Sequence, residues 1–452
     1  MTRRRPVIDA DSHKCENPVI FLDYVDPAHR DRISFVRDRW GEQRIQILDR
    51  LPGSGGQRSP RLFLQPEGWG KGTYRPYHPE ATLGGLFNRV RLEHMDREGI
   101  DHQVVYGSVA LAFNSVADPE LAAALCRAYN DYIRDDCAPH PRLHPVGVVP
   151  LQDPAEALLE LRRCVGELEM IAVMLPPNLP QPHPCAPGAF PDVRVPRHLS
   201  DPAFHALYAE AERLDVTLAI HGAPGLQLAA GAADQLDTFT LVHAFANRDM
   251  QQMALAKLIF DGVMEAHPHL RFGFLEAGCG WLPDFLHGLH EHWERRIRDF
   301  DPSIEPSPVE FLRELVRERG GGRRAGRTRQ AARLLQLLFT PSPEAASRDE
   351  LERFRYEHPR LPRDPREYVW RGQAFFSVAP DDPAPAWLPA AMGDSGSRVG
   401  CFAVDYGHWD VTLPGCVERV AKHPGIAPET VDAVLHDNAL RLYGERLRKR
   451  IQ

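Results

Sequence analysis

Pro6-Val7-Ile8-Asp9-Ala10-Asp11-Ser12-His13 opens the chain as a short apolar strand with polar residues at alternate positions. Side chains two apart on a strand point to the same side, so Asp9, Asp11 and His13 are expected to reach one place. Carboxylate oxygen and imidazole nitrogen together suit Zn, Mn, Fe and similar divalent ions. A solvated acidic strand end would show the same D-x-D-x-H run, so the reading turns on what later strands bring. The stretch also lacks the glycine-rich phosphate turn that follows the first strand of an open doubly wound sheet.

Outward from this strand, apolar segments recur at 102–107, 144–150, 170–175, 216–222, 270–276, 374–378 and 399–405. Helices are predicted between them. One covers 86–99 and ends at Gly99 as a C-cap; those over 118–137, 153–167 and 201–214 each open on Asp-Pro, an N-cap with proline at N1. A long helical region spans 237–267, a helix follows at 281–298, and two more at 414–422 and 428–447 close the chain. The Pro-rich stretch 179–200 reads as an ordered loop. Apolar rather than alternating strands call for a parallel sheet covered on both faces. Eight such units make a closed (β/α)8 TIM barrel, a single domain over 1–452. Two insertions interrupt it. Residues 17–80, rich in Pro, Gly and Arg, are expected to lie over the barrel mouth as a lid anchored by Leu62-Phe63-Leu64 and Trp69. Residues 301–366, with Gly320-Gly321-Gly322-Arg323-Arg324, are expected to be mobile in part or to sit at a subunit contact.

The 452 residues are 43% hydrophobic and 26% charged, as in soluble globular proteins. No apolar run reaches membrane-spanning length, and Met1-Thr2-Arg3-Arg4-Arg5 leads into a strand, so a cytoplasmic protein is expected. A net charge of −8 without a basic face argues against nucleic acid as a partner. The eight cysteines form no C-x-x-C pair and read as buried free thiols.

In a barrel, the C-terminal strand ends converge on one mouth. Here they deliver Asp11, His13, His221, Glu276 and Asp405, which suits one divalent ion, with Asp405 beside a bound water as ligand and proton acceptor. Asp9 lies deeper and is expected to hydrogen-bond a neighbouring turn. His243 either reaches the mouth or caps a helix, and His408 is expected to orient Asp405. Glu276 is read as catalytic, the alternative being a salt bridge to Arg271 or another arginine. Trp281, Trp293 and Trp409 read as packing residues, and nothing marks Cys15 or Cys279 as a nucleophile.

Several segments carry a resemblance: Ile8-Asp9-Ala10-Asp11-Ser12-His13, Ile220-His221-Gly222, Leu258-Ile259-Phe260-Asp261-Gly262-Val263, Phe274-Leu275-Glu276-Ala277-Gly278 with Trp281, and Val404-Asp405-Tyr406-Gly407-His408-Trp409-Asp410. With Asp437-Asn438-Ala439 near the end, they resemble the amidohydrolase superfamily, in the branch of aminocarboxymuconate semialdehyde decarboxylase and γ-resorcylate decarboxylase. The resemblance runs from about 6 to 444 and is thin over 20–80 and 300–366. It implies one metal ion, zinc first with manganese or iron as alternatives, held by Asp11, His13, His221 and Asp405. It also implies decarboxylation of a small aromatic or unsaturated carboxylic acid, or a related carbonyl compound, by a protein that forms a homodimer. Asp405 or Glu276 would deliver a proton to carbon, with His243 a further catalytic candidate. The chain departs from the branch at strand six, where Glu276 stands in place of a histidine, and His408 occupies the loop after Asp405, where the branch has a Pro-His pair. The alternative reaction is hydrolysis or hydration by hydroxide held on the metal, with Asp405 as base. A third reading, a non-catalytic barrel, would expect a broken ligand set.

Overall fold

Eight parallel strands pair in chain order into one sheet. They are β1 Ile8–Lys14, β2 His102–Gly107, β3 Leu143–Val148, β4 Ala172–Leu175, β5 Thr217–Ile220, β6 Phe272–Phe274, β7 Ala374–Val378 and β8 Gly400–Phe402. Every residue in them except His102 is buried, as a sheet covered on both faces requires. The computed structural model describes residues 5–16, 20–37, 43–50, 56–64, 79–182, 194–223, 236–295, 361–408 and 411–452, with a few single residues between 310 and 336. The sheet closes where Ser12 bridges to Tyr406: His13 N donates to Tyr406 O at 2.7 Å and Asp405 N to Asp11 O at 3.0 Å. Closure makes the chain a (β/α)8 barrel and sets Asp11 and His13 beside Asp405.

The helices follow from their caps. Helix α1, Asn88–Glu98, ends at Gly99, whose φ of 76° only glycine adopts cheaply. Helices α2, Pro119–Cys137, and α3, Pro154–Gly166, start at Asp118 and Asp153, whose carboxylates accept from the first free N–H groups. Before α4, His205–Arg213, the Asp201-Pro202 signal starts a 3-10 turn, Pro202–Phe204. Helix α5, Phe239–Phe260, is shorter than the expected region because Gly262, at φ 80°, breaks it before Val263–Ala266. Helices α6, Leu282–Trp293, α7, Ala384–Met392, and α8, Cys416–Ala421, complete the ring. The last helix, α9, Asn438–Ile451, lies across the N-terminal ends of the strands. Thr217 Oγ1 and Arg271 Nε both donate to Leu442 O, and Tyr443 Oη reaches Ala10 O at 2.7 Å. The floor is thus plugged, and Asp11, His13 and His221 lie at the opposite, C-terminal strand ends.

Three regions differ from the expectation. Within 17–80, Ile33–Arg37, Gln43–Arg50 and Arg58–Leu64 form an antiparallel three-stranded sheet. Its central strand buries Ile45 and Ile47, while Asp49 accepts from Ala117 N at 2.8 Å and Asp118 N at 3.0 Å. That ties the sheet to the start of α2. Residues 179–200 are not simply a loop, since Asn178–Pro182 pairs antiparallel with Arg194–His198. In β1 the register shifts between Asp9 and Ser12, which pair with Gln103 and Val105, so the strand bulges by one residue. Trp69, Cys185, Trp409 and most of 301–366 lie outside the described residues.

Candidate metal centre

At the C-terminal strand ends two triads of donors share His13: Asp11, His13 and His221, and His13, Asp405 and His408, with ligand atoms within 4.8 Å of one another in each. His13 Nε2 lies 2.9 Å from His221 Nε2, 3.4 Å from Asp11 Oδ1 and 3.5 Å from Asp405 Oδ1. His221 Nε2 is 3.7 Å from Asp11 Oδ1. Ligands about 2.1 Å from a tetrahedral ion stand roughly 3.4 Å apart, so Asp11, His13 and His221 could surround one cation, with Asp405 placed against His13. Asp11, His13 and His221 are buried, and Asp11 Oδ1 has no hydrogen-bond partner among the described residues. A buried carboxylate oxygen left that way is costly unless a cation meets it.

The electrostatics agree. Burial pushes the Asp11 carboxyl well above its ordinary range, and the charges of Asp405 and Glu276 add to the effect. Burial likewise holds His13 well below the ordinary histidine value, helped by His408, His221 and Arg91, and lowers His221. Neutral imidazole is the form that ligates, and a cation supplies the positive charge this cluster lacks.

Asp9 does not join them, although strand alternation put it on the same side. The bulge separates its path from that of Asp11. Its Oδ1 accepts from Val404 N and its Oδ2 from Gln103 Nε2, each at 3.0 Å. This is the expected structural role, and burial raises its carboxyl to about 7.

Asp405 sits at φ 53°, a left-handed conformation that costs a non-glycine residue about 1–3 kcal/mol. Its surroundings impose it. Asp9 holds Val404 N, Asp11 O holds Asp405 N, and Tyr406 O holds His13 N. Tyr406 Oη meets His94 Nδ1 at 2.6 Å, and Cys15 Sγ donates to Gly407 O at 3.3 Å. Gly84 packs so close to the Tyr406 hydroxyl that a Cβ there would overlap it. Cys15 is therefore a packing and hydrogen-bonding thiol, and burial pushes Cys279 well above the range of a reactive one.

Glu276, at φ 59°, faces the same centre. Its Oε2 accepts from Asn247 Nδ2 at 2.9 Å and lies 3.8 Å from His221 Nδ1, while Oε1 is 3.7 Å from His408 Nδ1. Burial would raise this carboxyl, but the neighbouring His408 ring and the charges of His221 and His243 outweigh it and hold it low. Arg271 pairs instead with Asp215 at 2.6 Å, which removes it as a salt-bridge partner of Glu276, and no ion pair to another arginine joins Glu276 among the described residues. His408 Nδ1 stands 2.8 Å from Asp405 Oδ1, and its ring stacks on His13 with centroids 4.0 Å apart. His243 is half-buried on α5, where its charge acts on Glu276. Trp281 Nε1 donates to Ala277 O and Gly278 O, and its ring packs on Phe376, a packing role; Trp293 is buried as well.

Three residues escaped the sequence reading. Ser108 Oγ is 3.0 Å from His408 Nε2, and Ser108 is itself held by the buried Glu16 carboxylate, which accepts from the N–H groups of Ser108, Val109 and Ala110. Asn247 holds Glu276 as described. Gln251 Nε2 bridges Ile220 O at 2.9 Å and Leu275 O at 3.0 Å, the carbonyls just before His221 and Glu276. The signal for the last two was the spacing of His243, Asn247 and Gln251, polar residues at i, i+4 and i+8 on one helix face.

The profile of the amidohydrolase family matches residues 80–317, just over half of the chain. The chain belongs to the amidohydrolase family. This amidohydrolase is 26% identical over 225 residues to 2-amino-3-carboxymuconate-6-semialdehyde decarboxylase of Dictyostelium discoideum, covering 49% of its own length and 56% of the relative's. It is 29% identical over 198 residues to γ-resorcylate decarboxylase of Rhodococcus jostii, covering 44% and 57%. It thus spans just over half the length of the curated relatives it matches. Its fold is similar to that of a dihydroxybenzoic acid decarboxylase of Polaromonas sp. solved with manganese and 2-nitroresorcinol. That likeness has a TM-score of 0.54 at 15% identity and covers 98% of this chain and 99% of the other. No helix among the described residues is long and apolar enough to cross a membrane.

Proposed function

We propose that this amidohydrolase is a metal-dependent decarboxylase of a small aromatic or unsaturated carboxylic acid. The observation that carries the reading is the meeting of Asp11, His13 and His221, with donor atoms 2.9 to 3.7 Å apart, and Asp405 3.5 Å from the shared His13. The names of the two relatives support the reaction class. These four residues would hold one divalent ion, for which the nitrogen and oxygen donor set suits zinc first, then manganese or iron. When bound, such an ion supplies Lewis acidity toward substrate oxygens.

Decarboxylation breaks the bond from carbon to the carboxyl group, leaves the electron pair on that carbon, and consumes one proton there. Glu276 or Asp405 is the proton donor in this reading. His408 Nδ1 lies between the two carboxylates, 2.8 Å from Asp405 and 3.7 Å from Glu276, and so can pass a proton from one to the other. Ser108 fixes the far nitrogen of that ring, and His243 stands behind as a charge that acts on Glu276. The insertion at 17–80 belongs to the same reading as a lid over the mouth, and the insertion at 301–366, most of which lies outside the described residues, as a subunit contact. A homodimer in the cytoplasm completes it; the seven described cysteines, all buried thiols outside any disulfide, suit a reducing compartment.

Assaying a panel of hydroxylated benzoates and unsaturated dicarboxylates for CO2 release, with metal-stripped and metal-loaded protein, tests the reading. Release that depends on added metal is expected. A metal-loaded sample that releases CO2 from none of them contradicts it.

One observation favours a second reaction. Glu276 stands where an imidazole was expected, and an amide N–H and two imidazoles surround it, which stabilises its anion as a base. Hydrolysis or hydration needs a base and incorporates solvent oxygen into product, whereas decarboxylation does not. Turnover in labelled water separates them.

A further inference from the structure

Two cations are buried beside β1, and they differ in what answers their charge. Lys14, the residue after His13, meets the Asp136 carboxylate at 2.8 Å and Asn88 Oδ1 at 3.0 Å. Arg91, on α1, is equally buried, yet it forms no ion pair with a carboxylate among the described residues. A guanidinium kept from water without an anion is costly to a fold. What Arg91 holds instead is the strand that carries the donors. Its Nη1 donates to Ser12 Oγ at 2.6 Å and to Gln103 Oε1 at 3.1 Å, and its Nη2 donates to His13 O. The guanidinium also lies over the Tyr406 ring, 4.8 Å from its centroid. Gln103 carries the contact on, since its Nε2 donates to Asp9 Oδ2 at 3.0 Å. The opposite orientation of that amide would set like against like at both ends. Asp9 Oδ1 in turn accepts from Val404 N at 3.0 Å and from Asp11 N at 3.3 Å. One side chain thus reaches both edges of the seam where Ser12 meets Tyr406, across the bulge between Asp9 and Ser12.

We propose that Arg91 is a positioning residue of the metal centre: its fork of donors fixes the bulge in β1, and with it the places from which Asp11 and His13 present their ligand atoms. The planar fork suits this task, whereas a lysine ammonium is a point charge on a flexible stem. The proposal rests on the reading that these residues hold a divalent ion, and not on which reaction follows. The sign of the effect separates geometry from charge. By Coulomb attraction and repulsion alone, removing a cation near the centre should tighten binding of a divalent ion. Losing the fork that shapes the centre should weaken it.

The test measures the Kd for zinc and for manganese, by competition with a chelator, in wild type, Arg91→Lys and Arg91→Met. Arg91→Lys keeps the charge and loses the fork, while Arg91→Met loses both at similar length. Ile133→Ala, which opens a cavity at a buried position of α2, is the control for lost stability. Affinity is expected to fall by about 10–100-fold in both Arg91 variants and to stay within about threefold of wild type in Ile133→Ala. Wild-type affinity in Arg91→Lys overturns the proposal, as does equal or tighter binding in Arg91→Met. An equal loss in Ile133→Ala at a comparable melting temperature also overturns it, because lost stability would then be the cause. Should neither Arg91 variant fold, Ser12→Ala removes one contact of the fork alone. It is expected to weaken binding by about 3–10-fold, and unchanged affinity there overturns the proposal. A wild type that binds neither ion removes the metal reading and this proposal together, whereas unchanged variants of an ion-binding wild type remove this proposal alone. If the variants lose affinity but no acid releases CO2, the decarboxylase reading fails and the role of Arg91 stands.

Discussion

The segments after β8 and after β6 present their carboxylates from nearly the same backbone conformation, φ 53° at Asp405 and 59° at Glu276, yet they are held differently. Around Asp405, Val404, Asp405, Tyr406 and Gly407 are each hydrogen-bonded to β1 or the residue after it, and Gly84 closes over the Tyr406 ring. Around Glu276, main-chain bonds hold Leu275, while the carboxylate itself is held by one amide on a separate helix. A ligand needs a fixed position and tolerates no other. A proton donor needs a position that can relax as charge moves. In the proposed reading, the difference in anchoring suits Asp405 to the first task and Glu276 to the second.

The sharpest way to break this comparison is to neutralise each carboxylate. Asp405→Asn and Glu276→Gln should each lower kcat/KM by roughly 10²–10⁴-fold. Only Asp405→Asn should also deplete bound metal, measured by mass spectrometry on dialysed protein. Equal metal loss in both variants would erase the distinction.

A second comparison uses the glycine in each segment. Gly407 has φ 105°, and a Cβ there would stand 2.6 Å from His13 O; Gly278 has φ 63°, and its nearest neighbour would be Asp382 Oδ2 at 3.3 Å. Gly407→Ala should therefore destabilise the protein by about 3 kcal/mol or more, and Gly278→Ala by about 1–2 kcal/mol. Denaturant unfolding of the two variants checks the order, and the reverse order would count against a rigid Asp405 segment.

Ser108→Ala should leave metal content unchanged and lower activity by about 10–100-fold, the usual effect of a group that orients a residue of the centre. Wild-type activity in this variant would mean that the Ser108–His408 contact does not position the ring.

The smallest effect concerns the anchor of that loop. Burial pushes the Glu16 carboxyl up from 4.5 to about 7. The folded state thus holds a proton that the unfolded chain has already lost, so the favourable contribution is complete below about pH 4.5 and disappears as pH rises through about 7. Wild type should lose stability between pH 5 and pH 7 relative to Glu16→Gln, with a slope of at most about 1.4 kcal/mol per pH unit. Parallel stability curves for the two proteins would exclude this account of Glu16.

Much of the barrel was legible because its signals are local. β2 and β7 begin and end where their apolar runs do, and Asp118-Pro119, Asp153-Pro154 and Gly99 mark helix ends by their own chemistry. The convergence of His13, His221 and Asp405 followed from the rule that strand ends share one mouth. What was missed depends on neighbours distant in sequence. The bulge that diverts Asp9 arises from its register against Gln103. The sheet over 33–64 is pinned by Asp49 at the start of α2, and Gly84 matters because of Tyr406. Asn247 and Ser108 look like ordinary polar residues until Glu276 and His408 stand opposite them.

The most direct test is the metal content of wild type beside His221→Ala, each purified without added metal and then loaded and dialysed. The account predicts about one divalent ion per chain in wild type and a large loss in the variant, with both proteins folded. A folded wild type that retains no ion after loading, or a variant that retains as much as wild type, would contradict the shared centre of His13, His221, Asp11 and Asp405.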